Sequence, residues 1–128
     1  MLLFIDVTDP KINSLALVTL NETKWLRFLG DHTSENLIPQ IKKILIKNKR
    51  NLKDIEKIAV VVGPGPFSKI RTGVAVANAL GFALNIESIA LERSRIPHKL
   101  QDLLKKPGEK FVKPVYDKEP NITKSKRK

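Results

Sequence analysis

The sequence predicts an α/β fold built on a mixed five-stranded sheet, and three observations predict it. Ile58-Ala59-Val60-Val61-Val62 is an unbroken apolar run dominated by β-branched residues, the pattern of a strand covered on both faces. Gly63-Pro64-Gly65-Pro66 ends that strand sharply, and helical spacing begins at Phe67. Ahead of it lie three short apolar runs joined by links that fit only antiparallel hairpins. The chain has 128 residues, the size of one domain with one sizeable core.

The elements follow in order. Leu2 to Val7 is a first, mostly apolar strand, and Thr8-Asp9-Pro10-Lys11 supplies turn chemistry. Leu15 to Leu20 alternates as a second strand, Asn21-Glu22-Thr23 turns the chain, and Lys24 to Leu29 forms a third. A helix comes next, capped by Thr33 or Ser34, with Glu35 at the positive end of its dipole. Leu37, Ile38, Ile41, Ile44 and Leu45 share one face of it. Pro39 fits only near the helix start, which places that start close to Glu35. Asn48 to Lys57 is a polar connection with a short turn at Leu52 to Ile55. The buried strand, the second helix and a fifth strand at Ile86 to Leu91 complete the sheet. The last two strands lie parallel to the first through right-handed crossovers, the ribonuclease-H-like arrangement.

From Glu92 the texture changes. His98 to Lys105 reads as a short amphipathic helix through Leu100, Leu103 and Leu104, stopped by Pro107-Gly108. Phe111-Val112 and Pro114-Val115-Tyr116 read as an extended segment laid on the domain. Asn121 to Lys128 offers almost no apolar surface and reads as a basic, disordered tail. The expected division is therefore residues 1–91, 92–120 and 121–128, without internal repeats.

The formal charge of +11 favours phosphate-rich partners. A lysine-rich composition without a binding role is the alternative. The absence of cysteine excludes a disulfide framework and a thiolate metal site, and fits a reducing compartment. Met1 to Ile5 is too short for a signal segment, and no run is long enough to span a bilayer. These points lead us to expect a soluble cytoplasmic protein without membrane contact.

Several residues are candidates for chemistry. Asp6 ends the first strand, where a carboxylate can hold metal or phosphate, but two-metal chemistry needs several converging acids and Glu35 is the only plausible second. A turn-acceptor role for Asp6 is favoured. Gly63, Pro64, Gly65 and Phe67 form a glycine loop at a helix start, yet two prolines remove amide donors and no Gly-Lys-Ser/Thr ending follows. A rigid structural turn fits better than a phosphate cradle. His32 fits a cap or interface hydrogen bond at the entrance to the first helix. No Zn site or hydrolase triad is supported by the two histidines or by Ser34 and Ser68. No catalytic residue, metal ligand or cofactor is expected.

The second helix carries Gly73, Ala77 and Gly81 at intervals of four, a smooth stripe flanked by Val74, Val76 and Leu80. Such a stripe admits a closely packed neighbour. That neighbour is either the protein's own sheet or a partner, and the partner reading is favoured. Arg71, inside an otherwise apolar and small helix, is either paired at an interface or solvated.

Taken together, these motifs resemble a known family. GPGPFSKIRTG resembles the GPGSFTGLRxG signature of the TsaB (YeaZ) family, whose members support threonylcarbamoyladenosine synthesis on tRNA. His32 to Pro39 resembles its HSENLLP helix opening with Thr33 inserted, and Leu3 to Thr8 resembles its first strand, ILAIDTS. Pro114-Val115-Tyr116-Asp117-Lys118 is similar to its closing PxYLR segment. Pro66, Lys69 and Thr72 depart from the signature, whereas Arg71 and Gly73 keep it. The resemblance implies an actin/hexokinase-like first lobe with most of the second lobe missing. It also implies a non-catalytic scaffold or activator that pairs with a TsaD-like catalytic subunit, and with a TsaE-like ATPase as a further candidate. The implied docking surface comprises the first two helices, with Glu35, Leu37, Ile38, Ile41, Arg71, Gly73, Val74, Ala77, Leu80 and Gly81. The same surface can serve a homodimer, and tRNA is met indirectly or through the basic surface. The alternatives are a ribonuclease-H-like nuclease or remnant nucleotide phosphotransferase using Asp6 and Glu35, and a basic tRNA-binding module acting through Lys99 to Lys128.

Overall fold

A computed structural model describes residues 1–113. Five strands, β1 (Leu2–Asp6), β2 (Ile12–Val18), β3 (Thr23–Leu29), β4 (Lys57–Gly63) and β5 (Glu87–Glu92), form one sheet in the order β3-β2-β1-β4-β5. The β1–β2 and β2–β3 pairs are antiparallel, and β1–β4 and β4–β5 are parallel. This is the mixed sheet read from the sequence. Helices α1 (Thr33–Lys47) and α2 (Phe67–Leu84) carry the chain into and out of β4.

Alternation along the strands divides the core into two layers. Leu3, Ile5, Val7, Leu15, Leu17, Ile58, Val60 and Val62 point to the face covered by α1 and α2. Phe4, Ala16, Ala59, Val61, Ile89 and Leu91 point to the other face, where Leu100 and Leu103 lie over them. From Ile58 to Val62 β4 is apolar at every position because both faces are covered, which is why its sequence does not alternate.

The element ends show what local chemistry adds. β2 starts at Ile12, three residues before the expected Leu15. Asp9 Oδ1 accepts the amides of Lys11 (2.8 Å) and Ile12 (3.1 Å), which closes the turn early and lets pairing begin at once. At its far end, the Thr19 amide donates to the Glu22 carbonyl, so Leu20 lies in the turn and not in the strand. α1 starts at Thr33, two residues before Glu35. Neither Thr33 nor Ser34 caps it. The N-cap is His32 in the left-handed region (φ 58°), without a side-chain cap bond. Thr33 is an anchor instead: its buried hydroxyl donates to the Gly30 carbonyl at 2.7 Å and accepts from Asn13 Nδ2 at 3.0 Å. Pro39 consequently lies in the second turn.

The segment expected as an α-helix over His98 to Lys105 is a 3-10 helix, Leu100–Lys105. Pro97 and Pro107 bracket it closely, and the period of three puts Leu100 and Leu103 on one buried side. Val112 is buried while Phe111 is exposed, so only one of the pair is laid on the domain. The expectations for Pro114 to Lys118 and for Asn121 to Lys128 lie outside the described residues.

Candidate protein-interaction site

The Gly63–Pro66 turn positions α2. Gly63 adopts φ 132°, a conformation that side chains rarely take, and its peptide to Pro64 is cis. A Cβ on Gly65 would come within 2.6 Å of the Thr8 carbonyl oxygen, so glycine lets this turn press on the end of β1. Pro66 is the N-cap and provides no side-chain bond. The structure thus gives these residues the rigid-turn geometry, and nothing in it makes a donor cradle.

The inner face of α2 belongs to the protein's own sheet. A Cβ added to Gly73 would lie 2.8 Å from Val7 Cγ2, Ala77 is fully buried, and a Cβ on Gly81 would meet the Ile86 carbonyl and Ser88 Oγ at 3.2 Å. The expectation that this stripe faces a partner is therefore corrected. The close neighbour is β1, β4 and the start of β5, because the helix must approach a sheet already crowded by Val7 and Val60. Val74, Leu37 and Ile41 are also core residues, packed beneath α1 and α2. Ile70 and Lys69 are further buried members of the inner face.

The outer face is different. Phe67, Arg71, Ala75, Ala79 and Phe82 are all exposed and recur at helical spacing, with Leu80 half-buried beside them. Arg71 stands over the Phe67 ring, 5.5 Å from its centroid, so the guanidinium meets an aromatic face and, among the described residues, enters no ion pair. On α1, Glu35 and Ile38 are exposed, Ile38 at 51% and Phe82 at 72%. His32 Nδ1 lies 3.1 Å from Glu35 Oε1 at the helix entrance, and its side chain makes no cap hydrogen bond. Ser34 of α1 and Ser68 and Thr72 of α2 line one open cleft of about 470 Å³ between the two helix starts. Ala75, Ala79 and Phe82 were not singled out from sequence, and Phe67 was read only as part of the turn. The signal was available: they are the same helix read half a turn away from the glycines.

Asp6 serves its turn. One carboxylate oxygen accepts the Thr8 amide at 2.9 Å and the Thr8 hydroxyl at 2.6 Å. Glu35 lies at the exposed start of α1, and no three His, Cys, Asp or Glu side chains converge among the described residues. Lys69, only 8% exposed, donates from Nζ to the Asp9 carbonyl and fills the space beside Gly30. Burial pulls its ammonium below the usual lysine range, against the opposing pull of Asp9, Asp6 and Asp31.

A family model described as TsaD, tRNA N6-adenosine threonylcarbamoyltransferase, matches residues 27–107. The chain belongs to the TsaD family. Within it, the chain has the TsaB likeness that its turn and helix-opening motifs carry. It is 39% identical over 56 residues to the tRNA threonylcarbamoyladenosine biosynthesis protein TsaB of Buchnera aphidicola subsp. Schizaphis graminum, covering 44% of this chain and 26% of that one. It is 35% identical over 81 residues to the tRNA N6-adenosine threonylcarbamoyltransferase of Nitrosospira multiformis, covering 63% and 23% respectively. YeaZ from Pseudomonas aeruginosa superposes with a TM-score of 0.67 at 25% identity, over 71% of this chain and 43% of that one. The chain thus spans about a quarter of the length of these two curated relatives. Among the described residues no helix is long and apolar enough to cross a membrane.

Proposed function

We propose that this TsaD-family chain is a non-catalytic subunit that docks a TsaD-like catalytic subunit in threonylcarbamoylation of adenosine in tRNA, working in the cytoplasm. The observation that carries this reading is the outer face of α2. Phe67, Arg71, Ala75, Ala79 and Phe82 form an apolar strip with one stacked arginine, beside Ile38 of α1. Exposed aromatic and arginine side chains on a rigid helix are the residue types that anchor protein interfaces. The spent carboxylate of Asp6 supports the non-catalytic part, because both of its strong contacts go to Thr8. In the absence of the catalytic subunit the same strip serves self-association, and a TsaE-like ATPase joins through the catalytic subunit.

Co-purification with the catalytic subunit tests the proposal. Wild type should form a stable heterodimer. The pair Ile38→Arg and Arg71→Glu, both at exposed positions, should weaken it by at least tenfold with little change in thermal stability. A folded double variant that still binds at wild-type affinity would overturn the α1–α2 surface as the dock.

A further inference from the structure

Among the described residues, the second face of the sheet ends in an exposed patch on β3. Trp25, Arg27 and Leu29 pair across the ladder with Ala16, Ser14 and Ile12, so they share the face that holds Phe4. The 3-10 helix Leu100–Lys105 covers the other half of this face, pinned by Gln101, whose Nε2 donates to the Thr19 carbonyl and Thr23 Oγ1. Trp25 therefore stands at the border, 42% exposed, with its ring edge-on to buried Phe4 at 5.9 Å and 79°. The Arg27 guanidinium lies over the Trp25 ring at 4.5 Å. Among the described residues Arg27 enters no ion pair, and Leu29 is 67% exposed beside it.

We infer that this Trp25–Arg27 stack is a platform for an unpaired nucleotide of RNA. A guanidinium 4.5 Å from the centroid of an exposed indole offers a base a cationic and an aromatic surface together, and its N–H groups are donors that a phosphate can accept. Leu29 and Ile12 extend the platform with apolar floor for the next base or sugar. The electrostatics suit the ligand: the chain carries +11. Asp6, which pairs with Ser14 on this face, already accepts two hydrogen bonds from Thr8. Beyond it Arg93 flanks Thr8 and Pro64. An acidic protein segment would use the charge but not the exposed indole beside it. The choice of RNA over DNA rests on the tRNA reading above, whereas the platform itself does not depend on α1–α2 docking.

Trp25 is the only tryptophan, so its emission reports on this site directly. The full chain is titrated with an unstructured uridine oligonucleotide of about ten residues, within the usual range of single-strand sites. The expected result is a saturable change in Trp25 emission. By anisotropy of the labelled oligonucleotide, affinity should fall about tenfold in Arg27→Gln and in Trp25→Leu. Arg27→Lys, which keeps charge but not the plane, should lose most of that affinity, and the remote control Lys53→Gln should not. Arg27→Gln lies on the surface, and its melting curve and retained co-purification with the catalytic subunit separate loss of RNA from loss of fold or dock. Binding that leaves Trp25 emission and all variants unchanged would overturn the platform. So would protection of Trp25 from acrylamide by the catalytic subunit alone, which would make the patch a protein contact.

Discussion

Lys69 occupies the position where the TsaB signature has glycine, and its side chain is drawn into the space between the β1–β2 turn and Gly30. Its folded pKa lies below 10.5, with burial as the largest cause. The native state therefore releases this proton at lower pH than the unfolded chain, and stability rises with pH between the folded value and 10.5. Below the folded value both states are protonated and the cost of burying the charge is fully present. Lys69→Met, which fills the space without charge, should be most favourable relative to wild type near neutral pH. Its advantage should shrink as pH climbs toward 10.5, measured by denaturant unfolding across that range. A pH-independent difference would mean that the ammonium is hydrated in the folded chain. Lysine at a buried helix position was not legible as such, because its fit depends on a glycine 39 positions earlier that only the fold brings near.

At the scale of elements, α2 is two helices in one. Its inner residues Gly73, Ala77 and Gly81 are small because the sheet is close, and its outer residues Arg71 and Phe82 are large and exposed among the described residues. This gives opposite expectations for the two faces. Gly73→Leu should cost at least about 1–3 kcal/mol of stability by overpacking against Val7, read from a shift in the urea midpoint. An outer substitution such as Arg71→Glu should leave that midpoint within about 0.5 kcal/mol equivalent. The sheet order, the buried β4 run and the extent of α2 were readable because periodicity and glycine–proline punctuation are local signals. The facing of α2 was not. A stripe of small residues reports a near neighbour without saying whose, and the identity of that neighbour depends on how Val7 and Val60 crowd the sheet. The ends of β2 and α1 were misplaced for a related reason. The Asp9 turn and the Thr33 anchor act through side-chain hydrogen bonds that compete with regular structure.

Across the whole molecule, the segment after the last 3-10 helix joins both ends of the architecture. Ser88 and Glu109 exchange backbone hydrogen bonds at 2.8 and 2.7 Å beside β5. Three residues on, Asn78 of α2 grips the Val112 backbone twice, accepting its amide at 2.9 Å and donating to its carbonyl at 3.0 Å. A side-chain amide here imitates a strand. Asn78→Ala should leave both Val112 backbone groups without these partners and speed amide exchange from Glu109 to Val112 well beyond any change in β1 or β4, read by hydrogen–deuterium exchange. Equal acceleration throughout would make this clasp part of the global unfolding unit. Neither contact was legible in the sequence, since asparagine in a helix is ordinary and its partner lies 34 positions away.

The Ser88–Glu109 bridge has one more consequence. A sheet has two flanks, and along this one the β5 edge is interrupted by a piece of the chain itself. The β3 flank has no such cover within the described residues, so its free amides and carbonyls are the natural template on which misfolded copies would stack. Lys24 and Arg27, spaced along that strand, put charge on the edge, the residue type that discourages edge-to-edge pairing. The arginine proposed to meet a nucleotide on the sheet face thus also places a charge on its open edge.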